Sequence, residues 1–329
     1  MIGSMPQTDA KAACAMVKHY LKDIPVWPQL PDRTFMEHMN VQFSEGFPGF
    51  TVDGKKYFIK NTGSTHESLE KLYNAYLSND ASKFPTGEKY ASGLHAFLSS
   101  GITRQAVKGQ IVGPVTWGLS VTDEDNKAII YDDVLGDAVP KFLRLKAAWQ
   151  ENALRKISPN TIIFLDEPYM ASFGSSAVQV SRDKVIELLN EVFKGITGLK
   201  GIHCCGNTDW PVLLSTNTDI ISFDAYNYAG SFALYPGEIK KFLNRGGAIA
   251  WGIVPNTAEA LNNETVASLK DRLGEAMAPF TRKGISMGKL IEQGLLTPGC
   301  GLAGLPPEVA ERVLELLADL SLKIRNSRI

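Results

Sequence analysis

The stretch GLKGIHCCGNTDW, residues 198–210, sets His203 beside Cys204 and Cys205, which are two of the four cysteines and one of the five histidines in the chain. It closes a short apolar run. Along an extended strand side chains alternate between faces, so His203 and Cys205 point one way and Cys204 the other. A His-x-Cys pair at a strand end offers two metal ligands, and Cys300, in the distant TPGCG, offers a third. One imidazole with two thiolates suits tetrahedral Zn2+. Asp224, Glu167 or a water molecule is the fourth ligand of such a set; spacing does not choose among them. Each residue alone has a plainer reading, since a cysteine at a strand end is usually packing, and Cys204 is assigned to the core on that ground. A vicinal Cys204–Cys205 disulfide would be strained.

Carboxylates gather at similar places. Asp166 and Glu167 close TIIFLDEP, and Asp224 closes DIISFD. Asp166-Glu167-Pro168 reads equally as a cap for a following helix and as a group that holds a ligand's ammonium. Asp166, Glu167 and Asp224 are the candidate catalytic carboxylates.

These residues need elements to bring them together. The runs GQIVGPVTW, TIIFLDEP, LKGIHCCG, DIISFDAY, GAIAWGIVP and LLTPGCGL are predicted strands. Between and after them lie DAVPKFLRLKAAWQENALRKI, SRDKVIELLNEVFKGI with a good N-cap at Ser181, NETVASLKDRLGEAMAPFTRKG and PPEVAERVLELLADLSLKI, all with helical spacing of apolar residues. Strands alternating with helices predict a parallel sheet, and strands apolar on both faces predict helices covering it. Length and the number of βα units favour a single α/β domain over residues 1–329, a (β/α)8 TIM barrel. Residues 1–60 form an N-terminal helix and β-hairpin elaboration, with FTVDGKKYFI turning at Asp53-Gly54. In a barrel the site lies at the C-terminal ends of the strands, where His203, Cys205, Cys300, Asp166 and Asp224 all fall. No GxGxxG follows a strand, which argues against a dinucleotide site.

Bulk properties exclude other classes. The chain has 329 residues, 44% hydrophobic and 21% charged, with a formal net charge of -1. Interspersed charge gives no surface for nucleic acid or an anionic membrane. No apolar run is long enough to span a bilayer, and the first residues do not read as a signal peptide. Four cysteines in this length make no disulfide framework, and a cytoplasmic location is expected.

Taken in order, IGSMP, GPVT, FLDEP, HCCGN, DIISFD and TPGCGL resemble the catalytic barrel of cobalamin-independent methionine synthase, within the uroporphyrinogen-decarboxylase-like superfamily. The resemblance spans nearly the whole chain as scattered motifs, and H-x-C with GCGL is its most specific part. It implies that His203, Cys205 and Cys300 are zinc ligands, with Asp224 where that family places a ligand glutamate. It implies that Asp166 takes the amino group of homocysteine and that Ile2, Gly3 and Ser4 touch the amino-acid end of it. Long methionine synthases carry a second, folate-associated barrel for which this chain has no room. Short single-barrel relatives take methyl groups from methylcorrinoid proteins. The expectation is therefore a zinc S-methyltransferase making methionine from homocysteine, with methylcobalamin or a methylcorrinoid as donor and a corrinoid (iron–sulfur) carrier protein as partner. The alternatives are a coenzyme M-type thiol methyltransferase, a metal-free uroporphyrinogen decarboxylase-like enzyme, and a zinc-holding module without turnover.

Overall fold

The computed structural model describes residues 1–60, 63–176 and 178–326. Two antiparallel strands, β1 (Phe50–Asp53) and β2 (Lys56–Ile59), form the expected hairpin. Its turn sits one residue later than predicted: Asp53 still pairs with Lys56, and Gly54 takes the left-handed conformation at φ 59°.

Six strands make one parallel sheet in sequence order: β3 (Ala106–Val112), β4 (Asn160–Asp166), β5 (Leu199–Cys204), β6 (Ile220–Phe223), β7 (Ala248–Val254) and β8 (Gly294–Pro298). Helices return the chain between them, among them Leu135–Leu154, Arg182–Phe193 and Val266–Thr281, with Pro307–Asn326 after β8. Ser181 caps its helix as predicted, its side chain accepting from the Lys184 N–H at 3.2 Å.

Of the expected eight-stranded barrel, six strands form one parallel sheet, and beside it lie two short extended segments joined by isolated bridges. Segment 2–5 bridges to Gln29, and Val26 bridges in parallel to Lys108 of β3. Their bonds are few, with Gln29 N donating to Gly3 O at 3.0 Å and Lys108 N donating to Pro25 O at 2.9 Å. Pro25 and Pro28 have no N–H to extend the ladder, so segment 25–29 does not grow into a full strand. Leu302 N, after β8, donates to Ser4 O at 2.9 Å. The predicted strand GQIVGPVTW also splits. Its first part ends β3, whereas Pro114–Ser120 is a helix with Pro at its first position.

Strand alternation separates two apolar clusters. Ile163, Leu165, Ile202, Cys204, Ile221, Phe223 and Trp251 join the large core under the helices. Ile162, Phe164, Ile220 and Ala250 form a smaller cluster on the opposite, inner face. On that inner face one lateral row crosses five strands: Val112, Asp166, His203, Ser222 and Ala250 are successive partners. This register sets the site.

Candidate metal centre

The row delivers Asp166 and His203 side by side, and Cys205 follows two residues after His203 on the same side of the strand. Across the mouth, the loop after β8 brings Cys300. One ligand atom from each of His203, Cys205 and Cys300 lies within 4.8 Å of the other two, and this is the metal-capable group of His, Cys, Asp or Glu found among the described residues. Cys204 turns outward as predicted, fully buried in the helix-covered core, where burial pushes its thiol up to about 12. All four cysteines are free thiols.

The three groups fit a metal on their own chemistry. His203 is 3% exposed, its Nδ1 lies 3.1 Å from Ser222 Oγ, and its Nε2 has no hydrogen-bond partner. A buried ring nitrogen without a partner is costly unless a ligand takes it. An imidazole bound at Nε2 and donating Nδ1–H to a neighbouring oxygen is the usual arrangement of a metal-binding histidine. The two thiols share a proton: the Cys300 thiol and the His203 imidazole favour the Cys205 thiolate and bring it down to about 4, while that thiolate and burial push Cys300 up. A divalent cation would displace the remaining proton and balance the charge of the two thiolates.

The candidate carboxylates divide into three roles. Asp166 is buried, and its Oδ1 has no hydrogen-bond partner. Burial pushes it up to about 6, opposed by the positive charge of Lys108. Glu167 is wholly buried but turned away from the cluster. Its Oε1 accepts from Val115 N at 2.9 Å, and its Oε2 accepts from Thr116 N at 2.7 Å and Thr116 Oγ1 at 2.6 Å. It thereby caps the helix Pro114–Ser120. Asp224 stands outside the His203–Cys205–Cys300 group expected to include it. It caps the helix Ala225–Phe232, its Oδ1 accepting from Asn227 N at 3.1 Å and its Oδ2 from Asn227 Nδ2 at 2.6 Å. A carboxylate one methylene shorter than glutamate reaches its own helix N-terminus before it reaches a neighbouring strand.

Segment 2–4 lies against the same site. Ser4 packs on Gly301, where an added Cβ would come within 2.0 Å of Ser4 Oγ. Gly3 has φ +148°, and a Cβ there would lie 2.5 Å from Gln110 Nε2. Ile2 O accepts from Lys108 Nζ at 2.7 Å. Sequence reasoning missed Ser222 and Lys108. Their signal was present: each is a polar residue on the inner-facing phase of an otherwise apolar run.

Two solved structures match the fold. One is a B12-independent methionine synthase from a Shewanella species in complex with selenomethionine, at 16% identity, TM-score 0.53, covering 97% of this chain and 89% of that one. The other is a putative vitamin-B12-independent methionine synthase from Listeria monocytogenes, at 18% identity, TM-score 0.58, covering 96% and 86%. The chain shares their fold over nearly its whole length. No protein-family model matches it, and neither does any curated protein. The likeness corrects the expected donor: both neighbours are B12-independent, so the methylcobalamin or methylcorrinoid donor and its carrier protein are set aside. Among the described residues no helix is long and apolar enough to cross a membrane.

Proposed function

We propose that the chain is a zinc-dependent S-methyltransferase that converts homocysteine to methionine, using a methyl donor other than a corrinoid, on a sheet closed as a barrel by segments 2–5 and 25–29. The observation that carries it is the partnerless His203 Nε2 facing two thiols, one strand from the partnerless Asp166 Oδ1. Bound there, Zn2+ would keep a substrate thiol deprotonated at neutral pH while the two cysteinates preserve its nucleophilicity.

The chain's own groups do the rest. His203, Cys205 and Cys300 would hold the ion, while Asp224 is engaged by Asn227. Ser222 fixes the ring of His203. Asp166 accepts the ammonium of homocysteine, which supplies the charge its buried Oδ1 lacks and lowers its pKa again. Segment 2–4 bounds the amino-acid end. In the transfer the homocysteine sulfur forms a bond to the methyl carbon, the donor–methyl bond breaks with its electron pair staying on the donor, and the thiol proton has already gone to solvent. A metal-free decarboxylase leaves the partnerless nitrogen and the paired thiols without purpose.

The test uses purified full-length protein. It should retain zinc, and the zinc-loaded protein should methylate homocysteine from a methylated folate but not from methylcobalamin. Asp166→Asn should keep its zinc and raise KM for homocysteine by about 10- to 100-fold, the loss of one charged hydrogen bond. Absence of bound zinc, or no methionine from any non-corrinoid donor, would overturn the proposal.

A further inference from the structure

Below the metal centre the inner face of the sheet is apolar, with Ile162, Phe164, Ile220 and Ala250 packed together. β3 is the exception. Lys108 and Gln110 stand on its inward phase as the register partners of Ile162 and Phe164, and neither is more than 5% exposed. Burying an ammonium is costly unless it is paired and hydrogen-bonded. A lysine at this position therefore needs a role that leucine or methionine could not fill.

The contacts of Lys108 supply one. Its Nζ donates to Ile2 O at 2.7 Å and to Gln110 Oε1 at 3.0 Å, and its charge faces the Asp166 carboxylate. Burial lowers its pKa to about 8, so the ammonium keeps its proton at neutral pH. Gln110 is held in turn, its Nε2 donating to Trp27 O at 3.2 Å. The same amide fills the place where a Cβ on Gly3 would stand, 2.5 Å from Nε2. Lys108 thus bonds to Ile2 directly and orients the group that packs on Gly3. The other ties of segment 2–5 are single bonds: Gln29 N to Gly3 O at 3.0 Å, Met5 N to Gln29 O at 2.9 Å and Leu302 N to Ser4 O at 2.9 Å. A segment held this way has no ladder to fix its height on the sheet. β3 is paired with β4 along its whole length and offers a fixed point.

We propose that Lys108 is a positioning residue for the thiol substrate: by bonding Ile2 O and seating Gln110 against Gly3, it fixes segment 2–4, which bounds the amino-acid end of homocysteine. The inference rests on the methyl-transfer reading and adds to it a residue that acts through this segment rather than on the reacting atoms. Its loss is therefore felt in substrate affinity and not in the transfer step.

Two variants of the full chain test it. Lys108→Met keeps an unbranched side chain of similar length among apolar neighbours but has no donor. It should raise KM for homocysteine about 10- to 100-fold, as the loss of one charged hydrogen bond requires, with kcat within about threefold of the parent and zinc content unchanged. Lys108→Arg, which keeps the charge and the donors, should recover most of that affinity. Hydrogen exchange reads the segment without substrate. The amides of Met5, Gln29 and Leu302, bonded across segment 2–5, should exchange at least about 10-fold faster in Lys108→Met, while those of β4 and β5 stay as in the parent. Parent KM and parent exchange in Lys108→Met would overturn the proposal. A raised KM with unchanged exchange would also do so, since Lys108 would then act on the substrate itself. So would loss of zinc together with kcat from Lys108→Met, or a Lys108→Arg variant no better than Lys108→Met. Failure of the parent itself to methylate homocysteine would overturn the methyl-transfer reading, and the positioning role with it.

Discussion

At the scale of single residues, the adjacent cysteines at 204 and 205 have opposite fates because a strand alternates. Cys205 faces His203's side and the mouth; Cys204 is part of the core beneath the helices. The hydroxyl that orients His203 belongs to the next strand, at its register partner Ser222. This contrast gives a paired prediction. Ser222→Ala should lower zinc affinity about 10- to 100-fold, the usual effect of removing a histidine's outer partner. Cys204→Ala should leave zinc affinity unchanged and cost about 1 kcal/mol of stability, typical of a small buried truncation. Competition against a chelator reads the first and thermal unfolding the second. If Cys204→Ala released zinc more readily than Ser222→Ala, the assignment of faces would be wrong.

At the scale of elements, Glu167 joins three parts of the site. Its backbone N–H donates to His203 O at 2.8 Å, while its carboxylate caps the helix Pro114–Ser120. Gly113 is required there, since an added Cβ would lie 2.2 Å from Glu167 Oε1. Burial raises the folded pKa of Glu167 from 4.5 to about 7. A raised carboxyl pKa means that the folded state binds the proton more tightly, so the associated stability is present below about pH 4.5 and is lost as pH rises through about 7. The shift corresponds to about 3 kcal/mol. Glu167→Gln lacks this titration, so its stability deficit against the parent should shrink between pH 4.5 and 7.5. Denaturant unfolding at several pH values measures it, and a deficit constant with pH would remove Glu167 as the titrating group. Sequence patterning showed the strands and most helices here because their apolar periods are long and clear. It assigned GPVT to a strand because four residues carry no period, and only the tertiary partner Glu167 makes them a helix start. Asp224 looked like a ligand for a similar reason: its competing acceptor role, toward Asn227, becomes visible once the helix is in place.

At the scale of the whole molecule, the metal site links parts of the sheet that no ladder joins directly. His203 and Cys205 come from the end of β5, Cys300 from the loop after β8, and two strands intervene. The segments that would complete the ring are held by isolated bridges, and their residues Pro25, Pro28 and Gly3 hid them from strand patterning. The pairing of His203 with Cys205 was legible from strand alternation, and Cys300 from its place after the last apolar run and from the H-x-C plus GCGL resemblance; the structure brings the three together. An ion at this position would act as a fastener between the end of β5 and the loop after β8. Because it binds the folded chain and not the separated segments, it stabilises by mass action, about 2.7 kcal/mol at a hundredfold excess over its Kd. For a chain of this size about 1 kcal/mol moves Tm by roughly 2 °C or slightly less, so zinc removal should lower Tm by roughly 5 °C. Cys300→Ser should fall to the chelated parent's Tm and respond little to zinc, because a single strand end retains only two of the three ligands. Differential scanning calorimetry with and without chelator decides it. A parent Tm insensitive to chelation, with zinc shown to be bound beforehand, would mean that the ion does not bridge β5 and the loop after β8.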